Sequence, residues 1–450
     1  MKHKRMLTVV FSLILALTLS ICSVFADNFS SPELPSDEEL LTLVEDSVNA
    51  YKKQYIIHSV DIANKCIQST SQNGYTVDFT VALDVELNYD SALQLPHVQG
   101  MLALLGIDAS STSTDVFLNK LDTDTLDVAI SKIAQGQMSL SNSVSEKSAK
   151  IDVESAERIT NTVKEELADF ILELEDLYIG QREQINLILR ATFDSNDSPV
   201  GVSAVAYDGT TYNIQEIEPA SNAEMRANGK NQLNKFVSLA IAKENTSPNE
   251  INALANSEVY HRVSAREYAN KWTSNPSGGA FKNILKWKIR DNPDATEEPY
   301  YPANNADCAN YVSQAIHAGG IDKTSNDVND KYHWFASEYG CSIAWENCES
   351  MYFYFTHNNY WTASDYANCN AGGIIFLKDT SGTRYHVVMC VQNNTVTRLY
   401  SAHTQDALKV PYTGKSSFGT SCNSLEYWVF TNSDTNSFQK WKSSYFLFEK

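Results

Sequence analysis

The sequence predicts an α+β protein, with helices on a curved antiparallel sheet in a first unit and a short helix packed on another antiparallel sheet in a second. Three patterns lead to that class. Tyr75, Val77, Phe79, Val81, Leu83, Val85 and Leu87 alternate with mostly polar residues, so one face of a long strand is covered and the other is wet. Val153, Ala156, Ile159, Val163, Leu167, Phe170, Ile171 and Leu174 return at the helical period within residues 152–178. Residues 304–320 hold Ala309, Val312, Ala315, Ile316 and Gly319 three and four apart, a one-sided helix, and strand-like runs follow from Gly372 onward.

The chain opens on an export leader. Lys2, Lys4 and Arg5 precede an apolar run from Met6 to Phe25, and Val24-Phe25-Ala26 suits a signal peptidase. Residues 1–26 are therefore expected to be removed, leaving a secreted chain that starts at Asp27. No later segment reaches transmembrane length, so no stable membrane insertion is expected after the leader is cut. The 450 residues allow two large units or three smaller ones. Losing Lys2, Lys4 and Arg5 takes the formal charge from −20 to −23, which argues against a nucleic-acid or anionic-membrane partner. Eight cysteines become seven without Cys22, and an odd number in an exported chain leaves one thiol free or paired between chains. Cys341 and Cys348 are close enough in sequence for a local bridge.

In the first unit, residues 27–250, Ser36-Asp37-Glu38-Glu39 is a capping box ahead of Leu40, Leu41, Val44, Val48 and Tyr51 at helical spacing. A β-rich run from Tyr55 to Ile62 and the Asn73-Gly74 turn precede the alternating strand. Alternation returns in Ile185, Leu187, Leu189, Ala191 and Phe193, and the Asp208-Gly209 turn joins two further strands up to about Ile217. A helix over 223–243 leads into Glu244-Asn245-Thr246-Ser247-Pro248-Asn249, a boundary signal. Residues 106–150 are rich in Ser, Thr and Asp and carry no readable element. His58 and His97 stand alone and read as structural. This unit is expected to be a spacer, a regulator or a recognition module.

The second unit begins near residue 256, and its helix places Cys308 in the first turn, behind Asn304, Asn305 and Asp307 as candidate caps and ahead of a stop at Gly319 and Gly320. Exposed N–H groups and the helix dipole favour thiolate there, and such thiols reach pKa values of roughly 3.5 to 7.5. Ile374-Ile375-Phe376-Leu377 reads as a buried strand and Tyr385 to Val391 as the next, with His386, Val388 and Cys390 on one face. If a hairpin centres on Asn393 and Asn394, paired residue numbers sum to 787, Ser401 faces His386, and His403 lies one diagonal step away. A helix-borne thiol, a strand-borne imidazole and a third polar group form the arrangement that acyl transfer requires. The order Cys308, His386, His403 matches thiol, base and orienter in papain-like folds.

Tyr260-His261-Arg262-Val263-Ser264-Ala265-Arg266-Glu267-Tyr268-Ala269-Asn270-Lys271-Trp272, Asp307-Cys308-Ala309-Asn310-Tyr311-Val312-Ser313-Gln314, His386-Val387-Val388 and Ser401-Ala402-His403-Thr404-Gln405-Asp406 occur in that order. Together they resemble the putative amidase domain of Gram-positive exported proteins, a relative of the NlpC/P60 and CHAP cysteine peptidases. The resemblance covers residues 256–415 and leaves 416–450 as a C-terminal extension. It implies an amide-bond hydrolase with Cys308 as nucleophile, His386 as general base and His403 as orienting residue, acting on cell-wall peptide or another extracellular amide. Two positions depart from the family pattern: His261 stands where Asn is usual, and Gly373 replaces an acidic residue.

Among supporting residues, Asp307 is expected to cap the helix or meet the substrate, and Asn310 to sit on the exposed side of its first turns. Asp406 is the rival to His403 as third residue. The oxyanion would be held by N–H groups at the helix start, including that of Cys308. Trp272, Trp287, Trp334, Trp345 and Trp361 bias this unit toward an aromatic core or cleft wall. Two other classes fit the same residues: a hydrolase fold without activity, serving as an adhesion or binding module, and a zinc site of Cys308, His386 and His403. No cofactor is implied by the leading reading.

Overall fold

The computed structural model describes residues 32–71, 73–108, 113–118, 124–142, 153–245, 258–275, 307–324, 332–337 and 340–433. The leader, Asn304, Asn305, Trp287 and the whole segment 246–257 lie outside them.

The first unit opens with α1 (Asp37–Tyr51), started by the expected capping box: Ser36 accepts from the Glu39 N–H, and the Glu39 carboxylate accepts from the Ser36 N–H at 2.8 Å. Five antiparallel strands follow the chain in spatial order: β1 (Tyr55–Ser71), β2 (Gly74–Leu87), β3 (Arg182–Asp194), β4 (Pro199–Val205) and β5 (Thr211–Tyr212). β1 runs well past the expected Ile62, and three register shifts interrupt its pairing with β2. The alternating apolar residues of β2 and β3 face helices α2 (Pro96–Leu104), α3 (Thr114–Leu118), α4 (Asp124–Asn142), α5 (Val153–Tyr178) and α6 (Asn222–Asn245). α3 and α4 occupy part of the Ser/Thr/Asp-rich stretch that sequence patterning left unassigned. After the Asp208-Gly209 turn only two residues stay in the sheet, and Ile214–Ile217 coils into a 3₁₀ turn in place of a further strand.

The second unit holds α7 (Arg262–Lys271), α8 (Cys308–Ala318), a two-residue hairpin β6 (Ala336–Ser337) and β7 (Gly340–Cys341), α9 (Ile343–Glu346) and α10 (Cys348–His357). Its sheet comprises β8 (Trp361–Ser364), β9 (Ile374–Lys378), β10 (Arg384–Asn393), β11 (Arg398–Ala402), β12 (Ala407–Pro411) and β13 (Ser424–Phe430), in the order β12-β11-β10-β9-β13-β8, with every pair antiparallel. β13 lies between β9 and β8, so residues expected to be an extension supply an interior strand. Among the described residues no helix is long and apolar enough to cross a membrane.

Ile374-Ile375-Phe376-Leu377 is apolar without alternation because both faces of this sheet are covered. Ile374, Phe376, Val387, Met389 and Val391 join the core that also holds Tyr311, Trp334 and Phe355 of the helices and loops of this unit. Ile375, Leu377, Val388, Cys390 and Tyr400 form a second cluster against which Ile188 and Tyr207 of the first unit pack. The units are also joined by polar contacts. Arg262 makes a bidentate pair with Glu173 at 2.9 and 2.7 Å, and the Tyr55 hydroxyl lies 2.5 Å from Thr397 Oγ1. Asn186 donates to the Leu408 carbonyl at 2.7 Å.

The β10–β11 hairpin departs from the expected register. Met389 faces Ser401, so paired numbers sum to 790 and not 787. The loop is Asn394–Thr397, closed by the Asn394 carboxamide oxygen, which accepts from the N–H groups of Val396 and Thr397. Thr395 adopts φ +69°; beside this loop the paired numbers sum to 791, and a bulge between Cys390 and Gln392 takes one back to give 790. Ser401 is therefore not opposite His386, and His403 falls beyond the end of β11.

Candidate active site

α8 begins at Cys308, and its first-turn N–H groups have no intrahelical acceptor, so a sulfur there sits at the positive end of the helix. Cys308 is 5% exposed and His386 is 3% exposed. The thiol is pulled well below its ordinary range, chiefly by a hydrogen bond from the Cys348 thiol, against the opposing effect of burial. The charge and hydrogen bond of His386 and the N–H of Val387 pull in the same direction. The pairing of thiol and imidazole expected from the sequence is thus formed by the start of α8 and the start of β10.

Cys348 was not expected here. It is the first residue of α10, capped by Asn347, whose side chain accepts from the Ser350 N–H at 3.0 Å. Its sulfur lies 3.7 Å from that of Cys308, so it pairs with the candidate nucleophile and not with Cys341 as the local spacing had suggested. The charge-bearing sulfur beside it pushes the Cys348 thiol up, which keeps it a donor. A cysteine directly behind an Asn cap was the legible signal.

His403 does not take the expected place beside His386. Its Nδ1 lies 2.8 Å from Asp307 Oδ2, its Nε2 donates to the Trp272 carbonyl at 2.6 Å, and its ring stacks on Tyr311 with centroids 4.1 Å apart. Both ring nitrogens face oxygen atoms of other residues, so neither is turned to His386. The role of orienting His386 is thereby withdrawn from His403. The zinc reading fails on the same geometry, since both imidazole nitrogens are already used. Among the described residues no group of three or more His, Cys, Asp or Glu is placed to hold a metal.

Asp307 does not cap α8 through its side chain. Oδ2 meets His403, Oδ1 accepts from Asn310 Nδ2 at 2.8 Å, and the backbone N–H donates to Thr404 Oγ1 at 2.9 Å. Asn310, expected on the exposed side, is buried and accepts from Trp345 Nε1 at 2.6 Å and Gln314 Nε2 at 3.2 Å. Tyr311 donates to the Ala269 carbonyl, and Ser313 donates to that of Trp345. The Asp-Cys-x-Asn-Tyr-Val-Ser-Gln stretch is therefore mainly a buried lock on the helix, with Cys308 turned to His386. Asp406 is buried, and its charge helps to raise the hydroxyl pKa values of Tyr207 and Tyr311. Gly373 has a steric reason for its departure: a Cβ there would lie 2.6 Å from Cys369 Sγ and 2.9 Å from the Asn370 carbonyl.

The first unit also reaches this place. The Tyr207 ring stacks on that of His386 with centroids 4.4 Å apart, a contact that nothing in the local sequence announces. No curated protein and no solved structure matches the chain. Residues 259–429, which carry α7, α8, Cys308, His386 and nearly all of the six-stranded sheet, match the model of the protein family described as a putative amidase domain.

Proposed function

We propose that this chain is an exported thiol hydrolase of amide bonds, papain-like in arrangement and akin to the NlpC/P60 and CHAP cysteine hydrolases, acting on wall peptide or a similar extracellular amide. The observation that carries the reading is the placement of Cys308 at a helix start beside the buried His386, whose charge favours the thiolate. The amidase family match over the same residues supports the bond type.

Cys308 attacks the carbonyl carbon as thiolate, and the oxyanion is met by the first-turn N–H groups of α8, including that of Cys308 itself. The imidazolium of His386 gives its proton to the leaving nitrogen, and the C–N bond breaks to leave a thioester. His386 then takes a proton from water, whose oxygen displaces the sulfur and releases the acid. Cys348 donates to the sulfur whenever it carries charge. Asp307 and His403 hold the start of α8 in place, and the charge of Asp406 helps to keep the Tyr207 and Tyr311 hydroxyls protonated.

Purified protein and its Cys308→Ala variant, incubated with muropeptides and simple peptide amides and read by mass spectrometry, test the proposal. Turnover lost in the variant supports it, and equal turnover by both ends it. A second reading, a binding module on the same fold, is favoured by the burial of both Cys308 and His386. A wild-type thiol inert to iodoacetamide near pH 6 would select that reading.

A further inference from the structure

We infer that the first unit completes the active site. Tyr207, carried at the β4–β5 turn, is a positioning residue that holds the His386 imidazole against Cys308 by ring stacking. The inference rests on the hydrolase reading above and adds what orients the base, now that His403 is committed elsewhere.

Four observations carry it. The two rings stack at 4.4 Å with 30° between their planes. Nε2 of His386 is buried and has no hydrogen-bond partner among the described residues, so no such bond at that nitrogen fixes the ring. The far end of Tyr207 is pinned: its hydroxyl donates to the His403 carbonyl at 2.8 Å and accepts from the Gln405 N–H at 2.9 Å. The turn that carries it is pinned as well. Tyr207 N–H donates to the Ser417 carbonyl at 3.0 Å, and Asp208 Oδ2 accepts from the Thr420 N–H at 2.9 Å and the Ser421 N–H at 3.4 Å. Gly419, at φ +92°, leaves room for that carboxylate, because a Cβ at this position would overlap it.

A structural filler would need none of this anchorage to the second unit. Ring stacking suits the task because it fixes the plane of the imidazole while leaving both nitrogens available for proton transfer. The Tyr207 hydroxyl also stays neutral, since burial, and next the charge of Cys308, push its ionisation well up. It therefore places no negative charge beside the thiolate.

The test uses the full chain and the rate of Cys308 alkylation by iodoacetamide between pH 5 and 9, with turnover of the best amide substrate as a second readout. Tyr207→Leu is expected to lower the alkylation rate at pH 6 and kcat by about three- to tenfold, the range that one aromatic pair corresponds to, with KM little changed. Tyr207→Phe keeps the stack and restores most of that loss. Gly419→Ala, remote from the thiol, displaces Asp208 and gives an intermediate loss. Melting curves accompany each variant, and if Tyr207→Leu does not fold, Gly419→Ala decides. Variants with the wild-type alkylation profile and kcat overturn the inference. A wild-type chain with no reactive thiol near pH 6 overturns the hydrolase reading instead, before any variant is compared.

Discussion

The sulfur of Cys348 lies 3.7 Å from that of Cys308, and the two belong to the first turns of different helices, α10 and α8. One thiol therefore sits as a donor against the charged form of the other. Cys348→Ala removes that donor and should slow alkylation of Cys308 at pH 6 about tenfold while leaving the rate at pH 9 nearly unchanged. The sign follows from the charge: a thiolate that loses a donor is protonated at higher pH. Equal profiles for the two proteins would show that the sulfur contact carries no energy.

The same contact predicts an oxidised form. A peroxide or a small disulfide can take two electrons from the pair, and the one thiol proton, on Cys348, leaves as the Cys308–Cys348 bond forms. Activity and iodoacetamide labelling should fall together on oxidation and return with dithiothreitol. Peptide mapping would identify the linked pair. Oxidation that links Cys348 to Cys341 instead would contradict the arrangement described for α10.

His386→Ala should lower kcat by about 10² to 10⁴, the usual contribution of a positioned acid–base group, and it should also slow alkylation at pH 6. In the wild type the acid limb of the rate profile follows the thiolate of Cys308, so its midpoint lies below the value of about 8.5 for a free thiol. A midpoint at the free-thiol value would remove the ion pair from the mechanism.

Much of the fold was legible because period 2 and period 3.6 are local properties. β2, β3, α1, α5 and α8 lie where their apolar residues placed them. Partnership between distant residues was not legible. A loop of four residues, Asn394–Thr397, where a two-residue turn was expected moved the register of β10 against β11, and with it went the inferred relation of Ser401 and His403 to His386. Asn310 followed the same rule in reverse: a polar residue on a short helix reads as exposed until Trp345 and Gln314 are known to meet it. Tyr207 is the furthest case, because its partner lies in another unit and its own neighbours suggest only a turn. The thiol and the imidazole were found since chemistry restricts which residue types can serve.

Asp307 and His403 form a fully buried pair, and removing one partner strands the other. Asp307→Ala is expected to cost about 3 to 5 kcal/mol in urea unfolding, more than a surface substitution, whatever its effect on turnover. A variant as stable as the wild type would mean that the pair does not hold α8 in place.

The Arg262–Glu173 contact joins α7 to α5 and is nearly buried, with side chains 5% and 11% exposed. It faces a core that runs through both units without a break, from Leu40 and Leu167 to Phe376 and Phe430. Two units that share a core cannot unfold separately without exposing it. Urea unfolding should therefore show one transition, with coincident curves from tryptophan fluorescence, which reports on the second unit because all seven tryptophans follow residue 256, and circular dichroism, which reports on both. Glu173→Ala leaves the Arg262 charge buried and unpaired, so it should lower stability by about 3 to 5 kcal/mol and shift both curves together. Two separated transitions, with only one of them moved by Glu173→Ala, would show that the units fold independently and that the contact between Tyr207 and His386 is made by docking after folding.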